Sequence, residues 1–299
     1  MTYRIALLAS IALATSAAAQ PPAERPPSPP VAPSPFSTMQ WLYGSGEGAA
    51  TSIQAYRAFT AFVLAATRQR PRNSVILAEG SSLTDARFAP CEDSDPLAVV
   101  LDVDETVIQN LGYEYDRDVR GLGYGRYSWD RWEQEPDIHV APMPGVADAL
   151  REIRAANVTV IFNSNRLAEN ARHNERSLNA IGLGPASHDR NPSRRTLWLQ
   201  GDTPSGSAKD ERRWRIAEHF CVVAMAGDQL GDFSDLFNAR TLAPPQRRAA
   251  AASAPFGAMW GGGWFMLSNP VYGPAMAGTR NEVFPESMRW LDPRGAVVE

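Results

Sequence analysis

The stretch "VVLDVDETVIQN", residues 99–110, ends an apolar run in two aspartates one residue apart, Asp102 and Asp104. Other polar groups stand at comparable places. "VTVIFNSNR" runs into Ser164 and Asn165, "CVVAMAGDQLGDF" runs into Asp228 and Asp232, and Lys209 falls in the first turn of the helix expected after "TPSGSA". Carboxylates crowded into one small space repel each other unless a cation joins them. Hard oxygen donors suit Mg²⁺, which keeps several waters and is usually held by one or two carboxylates plus a substrate phosphate. A lysine and a small hydroxyl beside such an ion would hold the remaining phosphate oxygens. One aspartate is then free to attack phosphorus and form an aspartyl-phosphate. The second, two residues later, can protonate the leaving oxygen and afterwards activate water.

Taken singly, each residue has a plainer role. Asp102 or Asp104 could cap a helix. Lys209 could be a solvated helix residue, and Ser164, Asn165 and Asp228 could form turns. Their joint occurrence, each at a strand end or helix start, points to one site.

The elements that would position these residues can be read from pattern. "PLAVVLDVDET" is β-branched and apolar, as in a strand buried on both faces. Residues 145–157 predict a helix, 158–166 a strand, "AENARHNERSLNAIGL" a helix and 195–200 a third strand. Residues 207–220 predict a helix, 221–233 a fourth strand entering a polar turn, and 263–270 a further strand. Upstream, the alanine-rich stretch 51–70 predicts a packing helix stopped by Pro71. Strands alternating with helices predict an α/β domain, a parallel sheet with helices on both faces. In such sheets ligands bind beyond the carboxyl ends of the strands. Residues 107–142 break the alternation with a Tyr-, Trp-, Arg- and Gly-rich insertion, a functional loop or small subdomain.

"DVDET", "FNSNR", Lys209 and "GDQLGDF" resemble the four motifs of the haloacid dehalogenase (HAD) superfamily. With "PMPGV" and the late "LSNPVYG", the resemblance narrows to the class C bacterial acid phosphatases, the lipoprotein e type of 5′-nucleotidase, over about Trp41 to Gly273. It implies a HAD-like, Rossmannoid sheet, with Asp102 as nucleophile and Asp104 as general acid/base. Ser164 and Lys209, with Asn165 beside them, would bind phosphate. Mg²⁺ would be held by the Asp102 side chain, the Asp104 main-chain carbonyl and the Asp228 side chain, with Asp232 next to the ion or its waters. The resemblance further implies a nucleobase stacked between aromatic rings, one of them Tyr272, the other Tyr124 or Tyr127 from the insertion. Trp129 and Trp132, three residues apart, suit packing on one helix face. The chain departs from the family pattern after Gly273, where "PAMAG" replaces the usual Trp-Glu, and in having Ser164 where threonine is common.

The expected activity is hydrolysis of small phosphate monoesters, including nucleoside 5′-monophosphates. A phosphotransferase or sugar-phosphate phosphatase on the same fold is the alternative. A non-catalytic exported binding protein is a third reading, against which the intact set of Asp102, Asp104, Lys209 and Asp228 speaks.

Bulk properties fit this picture. Residues 1–20 show the charged start, apolar stretch and small-residue end of an export signal; a buried N-terminal helix is the alternative. The apolar stretch is too short to span a bilayer, and no cysteine follows it for lipid attachment. A soluble periplasmic or extracellular protein is expected. Residues 21–35 hold eight prolines in fifteen residues, the composition of a linker. The catalytic domain would then run from 36 to 299. Removing residues 1–20 takes away one arginine and no acid, moving net charge from −4 to −5. That argues against binding a nucleic-acid polymer, which needs a basic face, and leaves room for a local cationic pocket. A homodimer is an open expectation. Export permits one disulfide between Cys91 and Cys221, with two free buried thiols as the alternative.

Overall fold

The computed structural model describes residues 35–135, 139–291 and 293. The expected export signal, and the proline-rich linker up to residue 34, lie outside these residues.

The described chain opens with a short helix, α1 (Pro35–Met39), which passes through a π turn into α2 (Gly46–Arg68). Helix α2 begins before the expected residue 51 because Ser45 caps it, its Oγ accepting from the Gly48 amide at 2.9 Å. Tyr56, Phe59 and Val63, spaced at helical intervals, are buried beneath it. Next comes an antiparallel hairpin, β1 (Asn73–Leu77) with β2 (Phe88–Pro90). The central strand β3 (Leu97–Leu101) follows.

The insertion consists of β4 (Ile108–Gln109), α3 (Leu111–Arg120), α4 (Arg126–Gln134) and β5 (Ala141–Pro142). Strands β4 and β5 pair antiparallel, Ile108 opposite Pro142, and so close its base. The chain continues with α5 (Val146–Ala155), β6 (Thr159–Leu167), α6 (Ala171–Ala180), β7 (Leu197–Gln200), α7 (Asp210–Ala217) and β8 (Cys221–Gly227). It ends with α8 (Pro244–Ala252), β9 (Trp264–Met266) and α9 (Arg280–Val283).

Five parallel strands form the sheet in the order β7-β6-β3-β8-β9. The chain builds outward from β3 to β6 and β7, then returns to the other side for β8 and β9. The order therefore reverses between β3 and β8. At such a switch point neighbouring loops diverge and leave a crevice outside the carboxyl ends. Asp102 follows β3 and Asp228 follows β8, so the two aspartates flank that crevice.

Alternation along the strands fills two cores. Val99 and Leu101 of β3 with Val160 and Phe162 of β6 face Phe59, Leu150 and Ile153 from α2 and α5. Ala98, Val100 and Ile161 face Ile216 of α7 together with Phe233, Phe237 and Trp264. The hairpin completes this second side. Trp264 Nε1 donates to the Val75 carbonyl at 2.8 Å and Trp214 Nε1 to that of Leu77 at 2.9 Å. Truncating a buried aromatic of this kind to alanine costs about 3–5 kcal/mol.

Cys91 and Cys221 are bonded, tying the end of the hairpin to the first residue of β8. Of the two alternatives for these thiols, the bridge is the one that forms.

Candidate active site

The turn after β3 is built from its own backbone. The Val107 and Ile108 amides both donate to the Val103 carbonyl, at 2.9 and 3.0 Å, and the Glu105 amide donates to the Ile108 carbonyl at 2.9 Å. This closure forces Glu105 to φ 51°, the left-handed region that non-glycine residues rarely adopt. The Glu105 side chain holds the conformation in place. It is fully buried and accepts from the Asn110 amide and Nδ2, each at 2.9 Å, from the Tyr43 hydroxyl at 2.9 Å, and from the Tyr272 hydroxyl. Burial and the neighbouring Asp104 push the Glu105 carboxyl up to about 7, against the pull of these donors.

Asp102, Asp228 and Asp232 converge so that one carboxylate oxygen from each lies within 4.8 Å of the others. All three residues are buried. Asp228 is oriented by Thr106 Oγ1 at 2.9 Å, Asn269 Nδ2 at 2.8 Å and Gln229 Nε2 at 3.0 Å. Asp232 accepts from the Gln229 amide at 2.8 Å. Burial, and then the charge of Asp232, push Asp228 up to about 7 and Asp102 well above the usual carboxylate range. Lys209 offsets part of this for Asp102, since its Nζ donates to Asp102 and, at 2.7 Å, to Asp232. Burial works against the lysine charge, but Asp102 and Asp232 outweigh it and raise its pKa. One lysine does not balance three buried carboxylates. The donor set, all oxygen and anionic, fits a hard divalent cation.

Ser164 lies in the last part of β6, fully buried; its Oγ accepts from the Arg166 amide at 3.0 Å and lies 3.4 Å from Asp104 Oδ2. Asn165 is exposed toward the same cavity, and its Oδ1 takes a guanidinium donor of Arg212. The same guanidinium donates to the Ser164 carbonyl. Fully buried Arg212 on α7 thus binds the end of β6 to the helix that follows Lys209. Burial, then neighbouring Arg213, pull its pKa down to about 10. Lys209 itself is the residue before α7, at the cap position rather than in the first turn.

The aspartates and Lys209 open on a cavity of about 920 Å³, whose lining residues do not include the predicted phosphate-binding Ser164. Asp102, Asp104, Asn165, Lys209, Asp228 and Asp232 are among its lining residues. Tyr113, Glu114, Tyr124 and Trp129 line it from the insertion, and Tyr272 with Gly273 from the segment after β9. Tyr127 is 83% exposed and is not among the lining residues. Trp129 and Trp132 do pack together, with ring centroids 5.0 Å apart, and both pack on Tyr113.

The family model of the HAD superfamily, subfamily IIIB (acid phosphatase), matches residues 67–275. The chain belongs to that subfamily. It is a phosphoric monoester hydrolase of the acid phosphatase type. Among solved structures it is similar to the class C acid phosphatase from Bacillus anthracis, with a TM-score of 0.63 and 23% identity over 81% of this chain and 86% of that one. The tungstate-bound structure of that Bacillus anthracis enzyme gives a TM-score of 0.64 and 22% identity over the same shares. At this identity the likeness establishes the shared fold. No curated protein matches the chain.

Within this acid phosphatase several residues matter that spacing alone did not single out. Glu105 lies in "DVDET" itself, where a third acid beside the pair was a visible signal. Arg166 stands in "FNSNR" and Asn269 in "LSNPVYG". Tyr43 had no signal, since its partner Glu105 lies 62 residues away. Glu114, a buried cavity-lining carboxylate raised to about 7 by burial, lay in the insertion's run of tyrosines and acids.

Proposed function

We propose that the protein is an exported, Mg²⁺-dependent phosphatase that hydrolyses small phosphate monoesters, nucleoside 5′-monophosphates among them, through an aspartyl-phosphate on Asp102. The observation that carries this reading is the position of Asp102. It is a buried carboxylate at the crevice of the switch point, bonded to Lys209, clustered with Asp228 and Asp232, and open to a substrate-sized cavity.

The ion would be held by Asp102 and Asp228, with Asp232 beside it and the Asp104 carbonyl as a further donor. When bound, it supplies positive charge that keeps the carboxylates ionised and draws electron density from the phosphoryl oxygens. The chain's own groups do the rest. An Asp102 carboxylate oxygen attacks phosphorus as the ester P–O bond breaks, and Asp104 gives its proton to the departing oxygen. Lys209 and the Ser164 hydroxyl hold the non-bridging oxygens, with Asn165 at the rim. In the second half Asp104, now a carboxylate, takes a proton from water as that water attacks the aspartyl-phosphate. Phosphate leaves and Asp102 is restored.

The cavity of about 920 Å³ at the carboxylates supports a leaving group the size of a nucleoside, with Tyr272 and Tyr124 among its walls. Export is supported by the residue 1–20 pattern and the Cys91–Cys221 bridge, since disulfides persist in oxidising compartments. No helix among the described residues is long and apolar enough to cross a membrane.

The test is phosphate release from nucleoside monophosphates, sugar phosphates and an aryl phosphate, with Mg²⁺ and with chelator. Release from nucleotides only with the ion present supports the full reading. Full activity in chelator would overturn the metal dependence. Indifference to nucleotides would move the substrate class to sugar phosphates.

A further inference from the structure

Arg166 ends the motif that carries Ser164, and its side chain reaches Asp104 at the edge of the same cavity. It is almost completely buried. Its Nε and Nη2 both donate to Asp104 Oδ1, at 3.0 and 2.8 Å. Asn110 Nδ2 adds a third donor to the same oxygen at 3.0 Å. A carboxylate oxygen offers about two lone-pair sites, so three donors saturate Oδ1. Oδ2 has only the Ser164 hydroxyl, at 3.4 Å, among the described residues. The two oxygens of Asp104 are therefore not equivalent.

The guanidinium is itself fixed from every side. Nη2 also donates to Asn110 Oδ1 at 2.9 Å and Nη1 to Asn174 Oδ1 at 2.9 Å. The rings of Trp129 and Trp132 each lie 5.4 Å from its central carbon. Glu133, on the same helix as these tryptophans, accepts from Asn174 Nδ2 at 2.6 Å and from Trp129 Nε1 at 3.1 Å. So α4 clamps an arginine whose free fork grips Asp104.

We infer that Arg166 is a positioning residue for the chemistry: it pins Asp104 Oδ1 so that Oδ2 is the oxygen turned to the leaving group. The inference rests on the reading of Asp104 as general acid. It also gives the insertion a part in the reaction that needs no contact with the phosphate. Trp129 and Trp132, by flanking Arg166, set the direction of a carboxylate on another element.

A group that merely supports the fold weakens all substrates alike. A group that aims the acid weakens substrates in proportion to their need for a proton. The test compares kcat/KM for an alkyl phosphate with kcat/KM for an activated aryl phosphate such as 2,4-dinitrophenyl phosphate, in the same preparation. The ratio of the two is independent of the fraction of folded enzyme. Arg166→Gln is expected to lower the alkyl value about 10- to 100-fold, part of the 10²–10⁴-fold that general acids contribute, and the aryl value less than about 3-fold. Arg166→Lys keeps the charge, loses the fork, and is expected to fall between; it serves also if Arg166→Gln does not fold. Asp104→Asn is run beside them, and adding Arg166→Gln to it is expected to leave the ratio unchanged. Equal losses on both substrates in the arginine variants, with a biased loss in Asp104→Asn, overturn the role of Arg166 alone. An unbiased loss in Asp104→Asn overturns the acid assignment on which it rests.

Discussion

Lys209 Nζ lies between two carboxylates, donating to Asp102 and, at 2.7 Å, to Asp232. Lys209 precedes α7, Asp102 follows β3, and Asp232 ends the short turn after β8, so three segments far apart in sequence meet at one nitrogen. This contact gives Asp102, the proposed nucleophile, a cationic neighbour before substrate arrives. It also places the positive charge where a phosphoryl group attached to Asp102 would have its oxygens.

Asp102→Asn is expected to abolish turnover while the protein stays folded. An amide cannot attack phosphorus, yet it retains the shape of the side chain and removes one of three mutually repelling acids. Circular dichroism should therefore be unchanged and thermal stability equal or higher. More than a few per cent of wild-type kcat in a clean preparation would contradict the nucleophile assignment.

Mg²⁺ is expected to restore activity after chelation and to raise the melting temperature of the free enzyme. Both follow from the three buried carboxylates that Lys209 alone does not balance. A ligand at 100 times its Kd stabilises by about 2.7 kcal/mol. Asp228→Ala should lose most of this shift together with the activity. A melting curve indifferent to the ion in wild type would argue that the cluster is not a metal site.

Much of this arrangement was legible because the parallel strands announce themselves. "LAVVL" and "CVVAMAG" are continuous apolar runs, and each ends in the polar residue that matters. The β1–β2 hairpin was not legible, since Phe88–Pro90 is three residues long and shows no alternation. It forms because Trp264 and Trp214, far away in sequence, bond to β1 carbonyls. The insertion was recognisable only as an interruption. Its two helices carry few aliphatic residues and are held by Tyr113, Trp129, Trp132 and the guanidinium between them, contacts set by tertiary placement. For the same reason the roles of Glu105 and Arg166 were hidden, although both residues stood inside the quoted motifs.

Replacing both Cys91 and Cys221 by alanine is expected to cost about 2–5 kcal/mol of stability, the usual cost of removing a native disulfide. The two residues are 130 apart in sequence. Neither lines the cavity, so kcat and KM at 25 °C should change little. Chemical denaturation of the oxidised protein and the double variant measures the difference. Equal stabilities would show that the bridge constrains nothing the rest of the fold does not already fix.

Tyr272 has two ends that do different things. Its hydroxyl donates to Glu105, the strained residue after Asp104, while its ring belongs to the cavity wall. A nucleobase stacked on an aromatic ring is worth about 1–3 kcal/mol. On that basis Tyr272→Ala should lower kcat/KM for nucleoside monophosphates roughly 5- to 150-fold, at tenfold per ~1.4 kcal/mol. Tyr272→Phe separates the two ends, because it keeps the ring and removes the donor to Glu105. If stacking dominates, Tyr272→Phe behaves nearly as wild type on nucleotides, and both variants leave a small phosphate without a base almost untouched. If the hydroxyl's hold on Glu105 dominates, both variants lose activity on every substrate, because the turn that carries Asp102 and Asp104 has lost one of its anchors. Measuring both variants on a nucleotide and on a base-free phosphate decides between the ring and the hydroxyl.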